Sequence, residues 1–161
     1  LGSVIATQIA VDAPERVRGM VLGAPRVRVP VGAMRVNRMM LRLFPRKQVE
    51  TAHVRQSRRD MPNLSEEAED EMYRIGRPGL LAASRAIEGI DYSAALPSLA
   101  MPIRVLTGEN SSEPARAAAE VLARRAPNAD LLTLPAAGQW LNHEQPDAFT
   151  QAVIEFVDAL H

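Results

Sequence analysis

Hydrophobic positions follow two patterns along this chain, one with the spacing of helices and one with the length of buried strands. Each strand-length apolar run is followed at once by glycine or proline, and the runs lie at residues 17–22, 103–107 and 131–134. Helix-spaced apolar residues predict five helices, at residues 2–11, 34–46, 80–89, 113–125 and 147–160. Strands that alternate with helices through short connections predict a parallel sheet in an α/β protein.

Prolines divide the chain into three regions. Pro30 closes a first segment, residues 1–29, with one helix and one strand. Residues 30–99 are predicted to be helical throughout, and Ser65 has the position and type of an N-cap for an acidic helix. Residues 100–161, which begin just before Pro102, carry the remaining strands and helices. We therefore expect a core of two segments separated by a helical insertion.

The composition is that of a soluble globular protein. Hydrophobic residues make up 47% of the 161 positions and charged residues 24%. Because cysteine is absent, disulfides, thiolate zinc sites and a cysteine nucleophile are excluded. No apolar run approaches the roughly 18 residues of a membrane span, and no signal-peptide pattern opens the chain, so we expect a cytoplasmic protein. We also expect neither a metal nor a cofactor.

Charge is distributed unevenly, although the net charge is zero. Residues 16–59 contain eleven arginines and one lysine against a single acidic residue, whereas acidic residues dominate the rest of the chain. Within the helix predicted over residues 34–46, arginines at steps of three and four form one stripe: Arg35, Arg38, Arg42 and Arg46. The stripe is interpreted either as a solvated helix face or as a contact for an acidic partner. Its neighbours Met39, Met40 and Phe44 are interpreted as core of the helical region or as the roof of an apolar pocket.

Three segments carry a resemblance to a known family. Residues 1–6 (LGSVIA) with residues 12–17 (DAPERV) resemble the stretch after the nucleophile elbow of α/β-hydrolases, the G-x-S-x-G turn between a strand and a helix. Residues 101–109 (MPIRVLTGE) resemble the penultimate strand and its acid-bearing loop. Residues 135–140 (PAAGQW) with 144–149 (EQPDAF) resemble the last strand, the histidine loop and the last helix. The resemblance implies an incomplete α/β-hydrolase fold with about three parallel strands, flanking helices and a helical cap insertion over residues 30–99.

The resemblance also implies site positions. It places the nucleophilic serine one position before Leu1, so that the backbone N–H of Leu1 is an oxyanion donor. The acid position aligns with Ser111, although Glu109 and Glu113 are carboxylates close by. The base position aligns with Gln139, whose amide does not titrate near neutral pH. His143 is interpreted as a surface residue, with a displaced base as the alternative.

The function implied by the resemblance is hydrolysis of esters or related acyl compounds, with a small apolar acyl-type substrate. Since the nucleophile is expected outside this chain and neither Ser111 nor Gln139 has the family's chemistry, we expect this chain alone to have no turnover. The alternative is a non-catalytic interaction module that binds an acidic partner through the arginine stripe. Nucleic acid is not expected as a partner, because the basic segment lacks interleaved aromatic residues. The run from Val17 to Leu22 is expected to be an edge strand through which the chain dimerises or takes up a partner chain.

Overall fold

The computed structural model describes residues 1–60 and 66–160, and the chain forms two compact units. One unit contains Leu1–Arg28 and Asp91–His161, and the other contains Val29–Ile90. The N-cap predicted at Ser65 lies outside the described residues. The helices, in chain order, are α1 (Gly2–Asp12), α2 (Val31–Leu43), α3 (Arg46–Asp60), α4 (Glu66–Ala86), α5 (Glu113–Arg125), α6 (Leu141–Glu144) and α7 (Pro146–Asp158).

The first unit is built on a three-stranded parallel sheet, which confirms the predicted fold class. Its strands are β1 (Met20–Gly23), β2 (Ile103–Gly108) and β3 (Ala129–Leu134), and β2 lies in the middle. Ile103, Val105 and Leu106 of β2 are at most 1% exposed. A central parallel strand is covered on both faces, and for this reason β2 is a continuous apolar run.

The edge strand begins later than predicted. Pro14–Arg16 form a 3₁₀ turn, and the N–H of Val17 donates to the carbonyl of Pro14 at 3.1 Å, so Val17 belongs to that turn. The strand therefore runs over Met20–Gly23, and the predicted bounds from Val17 to Leu22 are wrong at the start. Among the described residues β1 pairs only with β2, which leaves its other side without a strand partner.

Helices cover the sheet through contacts between apolar side chains. Leu106 and Leu134 of the sheet form one buried cluster with Ala137, Leu141 of α6 and Ala152 of α7. On α5, Ala119 and Leu122 are buried, at 0% and 1% exposed. Tyr92, which precedes the 3₁₀ turn Leu96–Ser98, connects its segment to α1. The Tyr92 hydroxyl donates to the carbonyl of Val4 at 3.1 Å. Burial raises the pKa of this tyrosine.

The second unit contains α2, α3 and α4. The structure corrects the predicted helix over residues 34–46: α2 ends at Leu43, Pro45 interrupts the chain, and Arg46 begins α3. Arg46 therefore does not belong to the arginine stripe of α2. The interpretation of Met39, Met40 and Phe44 as core is also wrong, since they are 52%, 44% and 46% exposed, and the alternative, the roof of an apolar pocket, stays a prediction.

The α4 helix contains a kink that the sequence pattern did not predict. Gly76 has a φ of 49°, which lies outside the helical region, and Pro78 follows two residues later. The predicted helix over residues 80–89 is the second half of α4, which ends at Ala86. None of the helices over residues 1–60 and 66–160 is both long and apolar enough to cross a membrane.

Candidate active site

Three loops lie at one edge of the sheet because the three strands are parallel. These loops follow Gly23 of β1, Gly108 of β2 and Leu134 of β3. In open parallel sheets, ligands bind at the carboxyl ends of the strands. This edge is therefore the candidate site, and every residue discussed here belongs to the first unit.

The loops after β2 and β3 are held together mainly by their backbones. The N–H of Glu109 donates to the carbonyl of Leu134 at 3.0 Å, and the N–H of Asn110 donates to that of Ala137 at 2.8 Å. The Glu109 carboxylate accepts the N–H of Ala136 at 3.0 Å, where the chain has a φ of 54°. A non-glycine residue in this left-handed region needs local support, and these bonds supply it.

Gly108 marks the closest approach of the two loops. A Cβ at this position would overlap the carbonyl oxygens of Ala137 and Gly138. Backbone atoms cannot move aside as a flexible side chain does, so only glycine fits here.

Ser111, which the sequence resemblance aligns with the acid position, is buried and connects the two loops. It is 3% exposed, and its hydroxyl accepts the N–H of Gly108 at 3.2 Å. The same hydroxyl donates to the carbonyl oxygen of Gly138 at 2.9 Å. Arg116 donates to the carbonyl oxygen of Ser111 and, at 3.3 Å, to that of Glu109. The hydroxyl of Ser111 is thus satisfied entirely by backbone groups.

Gln139, which the sequence resemblance aligns with the base position, is exposed at the same edge. Its side chain makes no hydrogen bond to any residue that the structure describes, and it lines a pocket between the loop after β1 and the start of α5. The loop geometry brings Ser111 close to this position, since Ser111 bonds to the carbonyl of the preceding residue, Gly138.

His143 lies in α6, four residues after Gln139. It is exposed, and its ring centroid is 6.5 Å from that of Trp140 in an edge-on arrangement. His143 is not among the residues that line the pocket beside Gln139. Leu1 precedes α1, and its carbonyl accepts the N–H groups of Val4 and Ile5 at 3.0 and 3.1 Å.

Glu144 has a role that sequence reasoning missed. Its carboxylate accepts the N–H of Gly138 at 2.6 Å and that of Trp140 at 2.8 Å, and so clamps the backbone on both sides of Gln139. The signal available in the sequence was a carboxylate four residues after Trp140, shortly before the predicted last helix. Among the described residues, no group of three or more histidine, cysteine or carboxylate side chains is placed to hold a metal ion.

Comparisons with known proteins agree with this architecture. A family model described as serine aminopeptidase, S33, matches residues 1–140. Among functionally curated proteins, none matches the sequence significantly.

Solved structures similar to this chain include several hydrolases. They include a thermophilic esterase from Thermogutta terrifontis (23% identity, TM-score 0.83, 99% of this chain and 62% of that one). An enol-lactonase from Burkholderia xenovorans is 18% identical, with a TM-score of 0.82 and coverage of 98% and 62%. A hydrolase from Pseudomonas aeruginosa is 21% identical, with a TM-score of 0.80 and coverage of 96% and 61%.

The chain thus spans about three fifths of the length of these structures. At this level of identity the structural matches establish the fold, and the family model establishes the family. The sheet order, the strand-end loops and the match over residues 1–140 lead to one conclusion: this chain belongs to the serine aminopeptidase S33 family of α/β-hydrolases.

Proposed function

We propose that this chain carries the acid and base loops of an α/β-hydrolase acyl site in a form that does not turn over esters. The observation that supports this most is the hydrogen bond of 2.9 Å from the Ser111 hydroxyl to the carbonyl of Gly138. In the family's reaction, an acidic residue orients a histidine that removes and returns a proton. A serine bonded to backbone groups has no charge with which to stabilise an imidazolium.

The two replacements are chemically consistent with each other. A carboxylate at position 111 would be nearly as buried as Ser111, and a buried carboxylate needs a cationic or strongly donating partner. The amide of Gln139 is neutral and supplies no proton at neutral pH. A hydroxyl at position 111 is satisfied without any base, so the loops keep their geometry while general acid–base chemistry is lost.

The proposal is tested by ester hydrolysis with short p-nitrophenyl esters. The purified chain and its Gln139→Ala variant are expected to release p-nitrophenol at the same rate, equal to that of a protein-free blank. Thermal melts of both proteins show whether they are folded. A parent rate above that of Gln139→Ala would show that Gln139, or the site it belongs to, takes part in catalysis, and the proposal would then be wrong.

The alternative function is binding of an acidic partner through α2. Two observations favour it: Arg42 has no ion-pair partner among the described residues, and its neighbours Met39 and Leu43 are exposed. Arg38, by contrast, is occupied by Glu88 at 2.8 Å, and Arg35 lies 3.7 Å from the same carboxylate. Of these three arginines of α2, Arg42 is therefore the one whose charge is available for a partner.

Salt-dependent binding to polyglutamate tests this alternative. The Arg42→Glu variant should abolish binding, whereas the Arg16→Glu variant, which changes another exposed arginine, should leave it intact. Arg38 is unsuitable for charge reversal, because its loss would leave Glu88 without its hydrogen-bond donor. Equal binding by the parent and the Arg42→Glu variant would exclude this surface.

A further inference from the structure

A small pocket lies at the site edge, separate from the Ser111 contacts. Its walls come from the loop after β1, the first turns of α5 and Gln139, and its volume is about 140 Å³. A cavity of about 150 Å³ accommodates benzene, so the pocket has room for about six non-hydrogen atoms. This is too small for a long acyl chain or a peptide.

The loop after β1 is tied to its neighbours by backbone hydrogen bonds and leaves two arginines exposed. Ala24 has a φ of 46°, and its N–H donates to the carbonyl of Leu106 at 3.0 Å. Buried and exposed residues then alternate, so that Pro25 and Val27 are buried while Arg26 and Arg28 are exposed. The carbonyl of Val27 accepts the N–H of Tyr92 at 2.9 Å, which fixes the segment between the two arginines. Both arginines line the pocket.

The pocket carries positive charge that the protein does not neutralise. Arg28 lies 3.4 Å from Asp91, whereas Arg26 has neither a hydrogen bond nor an ion pair with any residue in the described ranges. No acidic side chain is among the residues that line the pocket. A guanidinium without a partner beside a concave surface attracts anions.

Neutral donors complete the lining. Neither the Gln139 amide nor the Ser112 hydroxyl makes a side-chain hydrogen bond within the part of the chain that the structure describes, and both line the same pocket as Arg26. The remaining wall is small and apolar, with Ala24, Pro114 and Ala118 among its residues. The pocket thus combines one free cation, free neutral donors and an apolar wall.

We propose that this pocket binds a short-chain monocarboxylate, with the carboxylate held by Arg26 and Gln139 and the alkyl chain against the apolar wall. A guanidinium presents two parallel N–H groups that match the two oxygens of a carboxylate. The volume selects ligands of about the size of propionate or butyrate. The proposal does not depend on the absence of ester turnover, since it concerns reversible binding alone.

Binding is measured by the fluorescence of Trp140, the one tryptophan of the chain, which directly follows Gln139. Butyrate is titrated into the full chain at constant ionic strength, with chloride as the balancing anion. We expect a saturable change with butyrate and propionate, weaker binding of octanoate, and no saturable change with inorganic phosphate. Isothermal titration calorimetry provides a second readout that does not depend on the tryptophan.

Two variants make the test specific. Arg26→Gln should raise the Kd for butyrate about tenfold or more, because a charge-assisted hydrogen bond is lost. Arg16→Gln, a change at an arginine whose side chain is 83% exposed, should leave the Kd unchanged. The proposal is overturned if no carboxylate binds saturably, if Arg26→Gln binds like the parent, or if phosphate competes with butyrate at equal concentration. Ester hydrolysis is not part of this experiment, so its outcome does not affect the proposed function.

Discussion

The hydroxyl of Ser111 donates to the carbonyl oxygen of Gly138, the residue that immediately precedes Gln139, at 2.9 Å. This hydroxyl is therefore bonded to the backbone of the loop after β3 and to no titratable side chain among the described residues. Truncation to alanine should destabilise the fold by about 1 kcal/mol, because a partly buried carbonyl loses its donor. Urea unfolding measures this difference.

Ser111→Asp should be more harmful than Ser111→Ala. Its carboxylate would be buried and would bring an oxygen against the Gly138 carbonyl, which also accepts rather than donates hydrogen bonds. Adding Gln139→His should recover part of the loss, since an imidazole N–H then donates to the carboxylate. We expect a favourable coupling energy of about 1 kcal/mol or more in a double-mutant cycle. Strictly additive effects would mean that positions 111 and 139 do not interact.

Glycine at position 108 should be indispensable, in contrast to glycine at position 32. Gly108→Ala should destabilise the first unit by about 3 kcal/mol or more, or prevent folding, because the Cβ would overlap two backbone oxygens. Gly32 lies in α2, and a Cβ at this position would meet no atom within 4 Å, so Gly32→Ala should stabilise by about 0.5–1 kcal/mol. Denaturant melts compare the two variants. Similar effects of both would contradict the packing described for Gly108.

Thr107 is a buried residue whose hydroxyl is not needed for stability. It is 4% exposed, and its Oγ1 has no hydrogen-bond partner among the described residues. Thr107→Val should therefore be neutral or stabilising by up to about 1 kcal/mol. Thr7 provides the matched control: it is 2% exposed, and its hydroxyl donates to the carbonyl of Ser3 at 2.8 Å. Thr7→Val should destabilise by about 1 kcal/mol, and the reverse order of the two Tm values would refute the assignment.

The stability of the second unit should depend on acid pH through Glu88. The hydrogen bond from Arg38, at 2.8 Å, lowers the pKa of Glu88 below its ordinary value of 4.5. Arg35, 3.7 Å away, contributes in the same direction. Because the folded-state pKa lies below the unfolded one, the contribution is present above about pH 4.5 and is lost as the pH falls through the folded pKa.

Thermal melts between pH 3 and pH 7 test this dependence. Glu88→Gln and Arg38→Gln should each flatten the decline of Tm in the acid range, since the first removes the titrating group and the second removes its partner. If the Tm of both variants fell as steeply as that of the parent, groups other than Glu88 would cause the acid sensitivity.

The free side of β1 should support association. Met20 and Ala24 donate their N–H groups to Pro102 and Leu106 at 3.0 Å, so the alternate N–H groups at Val21 and Gly23 point away from β2. We expect concentration-dependent association in sedimentation velocity. Val21→Pro should weaken it by removing an outward donor, and Val21→Thr, which keeps that donor, should not. A parent that stays monomeric at all concentrations would contradict this prediction.

Sequence patterns predicted elements whose ends are marked by local chemistry. The bounds of α5 agree with the prediction, because Pro114 is compatible only with the first turn of a helix and Ala126 ends the apolar periodicity. The central strand was predictable because burial on both faces requires a continuous apolar run. The start of β1 was not predictable, because Val17 is apolar like a strand residue but belongs to the preceding turn. The α3 helix has few apolar residues, and its buried Val49 and Val54 do not form a visible stripe.

The candidate site was predictable only where a motif places a side chain. The strand pattern located the loops at one edge of the sheet, and the family resemblance singled out Ser111 and Gln139 within them. The carboxylates of Glu109 and Glu144 bind backbone N–H groups of a loop whose course depends on the tertiary fold. Such contacts leave no periodic trace in the sequence. For the same reason, only the tertiary structure shows that Arg26 lines a pocket without an ion-pair partner among the described residues.

The crowding around Gly108 means that the shape of this edge and the chemistry of its side chains depend on different residues. The loops after β2 and β3 are connected chiefly through main-chain groups, which every residue type carries. A substitution at the exposed position 139 leaves this edge intact, and Ser111→Ala removes only the hydroxyl contacts, whereas any side chain at position 108 overlaps the backbone of the neighbouring loop. The side chain at position 139 can therefore change, and with it the chemistry offered at this edge, while the course of the two loops stays the same.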